Sequence, residues 1–158
     1  MVCLPQSTTA IHAQSIHVTG ATRYYEYGRY DSEGKGLVKR QTVPDVVMGK
    51  DGRPTADSMN SLLSAVSKKA GHGGRVEGAY VQSDSFDKMV GFTEGRMAGN
   101  ADPKREPYGI TDNNCGTFMK QTLEAGGVDT PWMIDPRPNS YIKELQSDFP
   151  RVQQSGAK

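Results

Sequence analysis

The stretch TDNNCGTFMKQTLEAGG, residues 111–127, carries the strongest local signal in this chain of 158 residues. Asn113 or Asn114 can cap a helix, because an asparagine oxygen accepts hydrogen bonds from the first free backbone N–H groups. Apolar residues then recur at helical spacing, and Gly126-Gly127 provides a stop. The pattern predicts a helix that begins beside Cys115 and buries the side that carries this cysteine.

The front of the chain is predicted to be rich in β-structure. Ile11–Val18 and Arg23–Gly28 have the composition of two strands joined by a turn at residues 19–22. A third strand is expected over Leu37–Val47, where Pro44 favours an edge position.

The rest of the chain is predicted to be mainly helical. A helix capped by Thr55 is expected to run to about Ala70, with Met59, Leu62, Leu63 and Val66 on its apolar side. A short strand is expected over Arg75–Val81, a helix from Ser83 or Ser85, and a last helix over Tyr141–Gln146. Together the elements indicate an α+β fold, a small antiparallel β-sheet packed by helices. We expect one domain over residues 1–158, with a core at about 10–149 and flexible ends at 1–9 and 150–158.

Composition excludes several classes of protein. Nineteen Lys and Arg against eighteen Asp and Glu give a formal net charge of +1. The chain lacks the strong excess of basic residues that is typical of nucleic-acid-binding proteins, so no nucleic-acid partner is predicted. No apolar run approaches the ~18–20 residues of a transmembrane segment, and the N-terminal residues lack the pattern of a signal peptide. Two cysteines and three histidines show no paired spacing, so neither a metal nor another cofactor is predicted.

Cys115 is the candidate nucleophile. In the first turn of a helix, unpaired N–H groups and the helix dipole are expected to lower the pKa of a thiol. Gly116 leaves space and free N–H donors beside the sulfur, as an oxyanion hole requires, and Asn114 is placed with it in the substrate-binding set. The alternative is that Cys115 is a small buried hydrophobic residue.

A thiol nucleophile also needs a base, and the chain has only His12, His17 and His72. His12 opens the first strand and can lean over a packed helix N-terminus, whereas His17 lies nearer the turn and His72 lies among loop glycines. Glu26, on the second strand, is the candidate for orienting the imidazole. With Gly20-Ala21 at the turn, Glu26 shares a sheet face with His17, but a bulge reverses this, so both pairings stay open.

Two aromatic features allow more than one interpretation. Tyr25 and Tyr27 belong to the run RYYEYGRY (residues 23–30) and are assigned as a platform on which substrate stacks, although such a run is commonly half core and half surface. Trp132, the single tryptophan, is expected to anchor the packing beside the last helix.

Four blocks of sequence resemble a known superfamily. An early strand His and a late Asn-Cys helix start resemble the circularly permuted NlpC/P60 papain-like superfamily, including its lecithin–retinol acyltransferase-like members. The blocks resemble most closely a bacterial branch that occurs as type VI secretion effectors, although Ile11-His12-Ala13 stands where relatives often have Gly-His-Ala. The resemblance covers about residues 10–149, and its blocks are TRYYEYGRYD (22–31), VPDVVMGKDGRPT (43–55), YGITDNNCGTF (108–118) and GGVDTPWMIDPRPNSY (126–141).

The resemblance implies a papain-like fold with Cys115 as the nucleophile, His12 as the base and a polar third residue near Glu26. It implies an antibacterial effector that cuts peptide amides in peptidoglycan or, alternatively, lipid acyl esters. The lack of a basic amphipathic helix favours the wall amide. It further implies that the protein resides in the cytoplasm of the producer, is exported without a signal peptide and acts in the periplasm of a target bacterium. The expected partners are a component of the secretion apparatus and a cognate immunity protein. A non-catalytic binding domain on the same fold is the remaining alternative.

Overall fold

A computed structural model describes residues 21–70 and 73–154 in full, and residues 11–18 through their backbone. The front of the chain forms a three-stranded antiparallel sheet in the order β1-β2-β3. These strands are β1 (Ile11–Val18), β2 (Ala21–Arg29) and β3 (Gly36–Gln41). The predicted hairpin is confirmed, and its register pairs His12 with Tyr27 and Val18 with Ala21.

The third strand is shorter than predicted. It ends at Gln41, and the chain then leaves the sheet, so that Val43 and Val46 are buried in a core outside the strand. The Val46 N–H donates to the Thr22 hydroxyl at 2.8 Å, which holds this segment beside the start of β2. Core burial therefore ends the strand before Pro44 is reached.

Four helices follow the sheet: α1 (Ala56–Lys69), α2 (Phe86–Ala98), α3 (Cys115–Ala125) and α4 (Pro138–Asp148). A short 3-10 turn over Gly99–Ala101 extends α2. The first three helices lie where the apolar spacing placed them. Helix α4 is longer than predicted and begins at Pro138, because proline has no N–H to leave unsatisfied in a first turn.

A second sheet joins two distant parts of the chain. Strand β4 (Glu77–Ala79) pairs antiparallel with β5 (Arg151–Gln153). Residues 151–153 were expected in a flexible tail, but here they form a strand, and the Gln154 N–H continues the pairing by donating to the Val76 carbonyl. Residues 1–9, which were also expected to be flexible, lie outside the described residues.

The central strand divides the interior into two hydrophobic cores. Tyr25 and Tyr27 pack in a core with side chains of α2, α3 and α4. Tyr24, which directly precedes Tyr25 and points to the other face, packs in a second core with Leu62, Leu63 and Val66 of α1. Successive side chains of a strand point to opposite faces, so β2 brings α3 to one face of the sheet and α1 to the other.

None of the helices in the described part of the chain is long and apolar enough to cross a membrane.

Candidate active site at the start of helix α3

The N-terminus of α3 is capped as the sequence predicted. The Asn114 Oδ1 accepts hydrogen bonds from the N–H groups of Gly116 and Thr117, at 2.7 and 3.1 Å. The Thr117 hydroxyl reciprocates by accepting the Asn114 N–H at 2.9 Å, which completes a capping box. This arrangement fixes Cys115 as the first residue of the helix.

The same asparagine ties two loops to the start of the helix. The Asn114 Nδ2 donates to the carbonyl oxygens of Ile110 at 2.6 Å and Pro136 at 3.0 Å. With its side chain buried (1% exposed), Asn114 satisfies its hydrogen-bonding groups inside the protein. In this structure Asn114 therefore positions the backbone around Cys115, rather than offering the exposed polar group that was assigned to substrate binding.

The Cys115 thiol is buried, at 2% exposure. Burial raises its pKa to about 12, and the hydrogen bonds from Tyr108 and from the N–H groups of Cys115 and Gly116 lower it only in part. The expected low pKa is wrong for this structure, because removal from water disfavours the thiolate more strongly than the helix start favours it. The resting group is a neutral thiol.

Tyr108 is the neighbour of the thiol that sequence reasoning missed. Its hydroxyl oxygen lies 3.1 Å from the Cys115 Sγ and 3.4 Å from the Cys115 backbone nitrogen, which donates toward it. Burial, followed by the charge on Cys115, raises the pKa of Tyr108 well above its ordinary value, so the phenol keeps its proton and can donate. The sequence block YGITDNNCGTF contains this tyrosine, but Tyr108 lies in the loop before α3, where no helical or strand periodicity relates it to Cys115.

Gly116 provides space, and its N–H is shared between the thiol and the helix cap. A Cβ at this position would lie 3.1 Å from the Asn114 Oδ1 and 3.3 Å from the Pro136 oxygen, so the close approach of the loop needs glycine. However, the Gly116 N–H is already bound by Asn114. The donors beside the sulfur that the cap does not hold are the Cys115 N–H and the Tyr108 hydroxyl.

Tyr27 supports this site from the central strand. Its ring stacks on Phe118 of α3 at a centroid distance of 4.9 Å and lies 5.7 Å from the ring of Tyr108. Its hydroxyl donates to the Asn113 Oδ1 at 2.8 Å. Glycine is needed at position 36 on the neighbouring strand, because a Cβ there would lie 2.0 Å from the Tyr27 hydroxyl oxygen.

The tyrosine platform does not form in this structure. Tyr25 is fully buried and its hydroxyl binds Glu94, while Tyr27 is 3% exposed. Stacking on a substrate needs an open ring face, and neither ring has one. Both residues belong to the core, as the alternative interpretation of the aromatic run held.

The register separates the candidate bases by position. His12 stands opposite Tyr27, whose ring is next to that of Tyr108, whereas His17 stands opposite Thr22. Five residues along a strand span roughly 16 Å, so the backbone of His17 lies far from the Tyr27 end of the hairpin. The side chains of both histidines, and all of His72, lie outside the described residues.

Glu26 is buried, at 2% exposure, and its carboxylate is engaged. It accepts hydrogen bonds from the Tyr30 hydroxyl at 2.8 Å and from the Gln41 Nε2 at 2.5 Å. The register pairs it with Ala13, which places position 26 and position 12 on opposite faces. Burial and then Glu26, with smaller effects from Cys115 and Tyr108, raise the pKa of Tyr30 well above its ordinary value.

Three large apolar side chains are exposed on the two loops that Asn114 joins. Trp132 is 84% exposed, Ile134 is 81% exposed and Ile110 is 73% exposed. The expectation that Trp132 anchors the packing is wrong. Side chains hold the backbone of these loops: the Ile134 N–H donates to the Glu144 carboxylate, and the Asn114 Nδ2 donates to the Ile110 and Pro136 carbonyl oxygens.

Within residues 21–70 and 73–154, no three His, Cys, Asp or Glu side chains lie close enough together to hold a metal ion.

Comparison with known proteins gives two matches. A family model described as type VI secretion system effector TseH-like matches residues 12–130. The crystal structure of the type VI secretion system effector TseH superposes with a TM-score of 0.84 at 28% sequence identity, covering 96% of this chain and 88% of that chain. No curated protein matches the chain.

Proposed function

The chain belongs to the TseH-like family of type VI secretion system effectors, and from this premise we propose that it is a cysteine hydrolase that cuts amide bonds in peptidoglycan peptides. One observation carries the proposal. The Sγ of Cys115 lies at the start of a capped helix, 3.1 Å from the Tyr108 hydroxyl, which also faces the Cys115 N–H. A nucleophile and two hydrogen-bond donors thus meet at one point, as acyl transfer requires.

The neutral resting thiol determines how the first step proceeds. Because its pKa is about 12, the proton must leave the sulfur as the sulfur attacks, so a general base takes part in the step. His12 is the proposed base, since its backbone lies at the end of the hairpin where Tyr27 meets Tyr108. The imidazole accepts the thiol proton while an S–C bond forms to the substrate carbonyl.

The two donors then stabilise the intermediate. The carbonyl oxygen becomes an oxyanion that accepts hydrogen bonds from the Cys115 N–H and the Tyr108 hydroxyl. Collapse of this intermediate breaks the C–N bond, and the imidazolium returns its proton to the leaving amine. Water hydrolyses the resulting thioester by the same path and releases a carboxylic acid. This is the order of steps that the resemblance to papain-like hydrolases implied.

Asn114 and Glu26 are proposed as positioning residues. Asn114 holds both loops and the first turn of α3, so it sets where Cys115 lies. Glu26 binds Tyr30, and because the register puts it on the face opposite to position 12, its proposed role is to hold Tyr30 rather than to orient the imidazole of His12.

The biological setting follows from the effector family. We place the site of action in the periplasm of a target bacterium, where peptidoglycan is exposed, after transfer from the cytoplasm of the producer by the secretion apparatus. A producer that makes such an enzyme would need a cognate immunity protein that blocks the site.

The test is to incubate peptidoglycan fragments with wild-type protein, Cys115→Ala and Tyr108→Phe, and to read the products by mass spectrometry. Tyr80→Phe is the matched control, since Tyr80 follows β4 and its N–H donates to the Pro150 carbonyl beside the second sheet. We expect new fragments that have gained one water with wild type and Tyr80→Phe, and none with Cys115→Ala. Equal products from Cys115→Ala would refute the proposal, and an absence of products from the wild type would favour a binding domain with a buried, inert cysteine.

A second candidate is hydrolysis of lipid acyl esters by the same residues. The exposed side chains of Ile110, Trp132 and Ile134, on loops tied to the start of α3, favour it, because exposed apolar side chains beside a site are typical of enzymes that act at a lipid surface. Phospholipid vesicles take the place of the fragments in this test. Release of fatty acid that depends on both Cys115 and Trp132 would support the lipid ester over the wall amide.

A further inference from the structure

Asn113 lies in the loop before α3, and its side chain binds three separate parts of the chain. Its Oδ1 accepts hydrogen bonds from the Tyr27 hydroxyl of β2 at 2.8 Å and from the Arg96 guanidinium of α2 at 3.1 Å. Its Nδ2 donates to the carbonyl oxygens of Pro107 at 2.9 Å and Glu106 at 3.3 Å. Asn113 is 8% exposed, so these bonds satisfy both ends of the amide inside the protein.

The contacts of Asn113 enclose Tyr108, which belongs to no helix or strand. The Asn113 Nδ2 holds the carbonyls of the two residues that precede this tyrosine. The Asn113 backbone carbonyl accepts the N–H of Gly109, the residue that follows it, at 3.1 Å. The Tyr108 N–H itself donates to the Gly34 carbonyl at 3.0 Å. Because this segment lies outside the sheets and helices, the hydrogen bonds of Asn113 hold the Tyr108 backbone from both sides.

Arg96 fixes which way the Asn113 amide faces. Its guanidinium donates to the Asn113 Oδ1 and, at 3.3 Å, to the Tyr27 hydroxyl, and it lies 5.4 Å from the centre of the Tyr27 ring. A guanidinium has donors and no acceptor, so a rotated amide would place its own N–H groups against the donors of Arg96. The Oδ1 therefore stays toward α2 and the Nδ2 toward the Tyr108 loop. A hydrogen bond from a charged donor is also stronger than one between neutral groups.

We propose that Asn113, oriented by Arg96, is a positioning residue that holds the Tyr108 hydroxyl at the Cys115 sulfur. The inference rests on the proposed hydrolase, because the place of this hydroxyl affects a rate only if the hydroxyl stabilises the oxyanion. The next residue, Asn114, fixes the first turn of α3. Two consecutive asparagines thus place the nucleophile and its donor relative to each other, and the 3.1 Å contact between the Tyr108 hydroxyl and the Cys115 Sγ is the result.

A double-mutant cycle on cleavage tests the assignment. Asn113→Asp keeps an oxygen for the Tyr27 hydroxyl and Arg96 but loses the donors to the two carbonyls before Tyr108. With peptidoglycan fragments as substrate, kcat should fall by about 10², as it does when a catalytic group is displaced, with KM within about twofold of the wild type. The double variant with Tyr108→Phe should be no slower than Tyr108→Phe alone, because a hydroxyl that is absent cannot be misplaced.

Asn100 provides the matched control. Its side chain also bridges an N–H and a carbonyl, those of Val38 on β3, at 3.0 and 2.7 Å. Asn100→Asp loses a comparable donor away from the Tyr108 loop, so it should lower the Tm as Asn113→Asp does and leave kcat within about twofold of the wild type. An equal loss of kcat in Asn100→Asp would assign the effect to stability and overturn the inference. If Asn113→Asp does not fold, Asn113→Ala, which introduces no charge, takes its place in the cycle.

The reactivity of the thiol reports the same contact without catalysis. With Cys3 replaced by Ser, Tyr108→Phe should slow the alkylation of folded Cys115 by iodoacetamide at about pH 9 by about fivefold, because a hydrogen bond that favours the thiolate is lost. Asn113→Asp should slow this reaction by a similar factor, and the double variant should slow it no further.

Three further results would overturn the inference: a wild-type kcat in Asn113→Asp, losses of kcat that multiply in the double variant, or alkylation that is unchanged or faster in Asn113→Asp. Faster alkylation would mean that Asn113 only keeps the thiol covered. The failure of the inference is distinguishable from that of the proposed function. Cleavage that depends on Cys115 and Tyr108 but not on Asn113 removes this inference alone. An absence of cleavage with slowed alkylation in Asn113→Asp removes the hydrolase and leaves Asn113 as the residue that places Tyr108.

Discussion

Replacing Asn114 by Ala tests how the structure holds its thiol. The change removes the acceptor that caps α3, which costs about 1 kcal/mol in proteins. It also removes two donors, to the carbonyl oxygens of Ile110 and Pro136, at about 1 kcal/mol each. The free energy of unfolding should therefore fall by about 3 kcal/mol, which lowers the Tm of a chain of this length by about 6–12 °C.

A second variant separates the two contributions. Asn114→Asp keeps an oxygen for the N–H groups of Gly116 and Thr117 but loses the donors to the loops. It should retain the cap contribution and lose the remainder. Asn139→Ala is the matched control, because Asn139 is exposed on α4 and its loss should change stability by less than about 0.5 kcal/mol.

Urea denaturation followed by circular dichroism measures all three variants, with calorimetry for the Tm. A loss of less than about 1 kcal/mol in Asn114→Ala would refute the reasoning, because it would mean that the four hydrogen bonds of this side chain are replaced by water without penalty. A loss equal to that of Asn139→Ala would do the same.

Further predictions concern the thiol, the phenol and the exposed indole. The reactivity of Cys115 toward iodoacetamide can be measured in a Cys3→Ser variant, so that only one thiol reacts. At about pH 8 this thiol should react roughly a thousandfold more slowly in the folded protein than in urea, because folding raises its pKa from 9.0 to about 12. Equal rates in the two states would contradict the burial argument. Because the folded state holds the thiol proton more tightly, this proton contributes to the free energy of unfolding below pH 9, and the contribution is lost as the pH rises toward 12. In urea titrations the free energy of unfolding of Cys115→Ala should therefore fall less steeply with alkaline pH than that of the wild type. Tyr108→Phe should lower the rate of cleavage by about 10²–10³ and the Tm by about 2–4 °C, because the Cys115 thiol and N–H lose a hydrogen-bond partner worth about 1 kcal/mol; a wild-type rate would remove Tyr108 from the oxyanion site. Trp132→Ser should change stability by less than about 0.5 kcal/mol, and a loss above about 2 kcal/mol would show that the indole is buried.

The elements that follow local rules were predictable from the sequence. The cap at Asn114 and the helix after it depend on residues within one turn of each other, and the hairpin of β1 and β2 depends on alternation and a short turn. The strand β5 was not predictable, because its partner Glu77–Ala79 lies more than 70 residues away and nothing local marks either as half of a pair.

The chemistry of the site was predictable only in part. The position of Cys115 follows from its neighbours in sequence, but its pKa follows from burial, which depends on the whole fold. Tyr108 contacts the thiol from a loop, and Arg96 contacts Asn113 from helix α2, so neither contact follows from spacing in the sequence. The exposure of Trp132 likewise was not predictable from its neighbours in sequence, because its loop is held by the distant Asn114 side chain.

Gly36 has a consequence for how this protein can change over generations. It lies on β3, which carries none of the candidate residues, yet any side chain there would displace the Tyr27 hydroxyl from Asn113 and Arg96. Substitution of Gly36 is therefore not tolerated, whereas the exposed loop residues can be substituted without disturbing these contacts. A homologue that lacks this glycine would keep every candidate catalytic residue and still lose the contacts that support the site. A comparison of the candidate catalytic residues alone would not detect this loss.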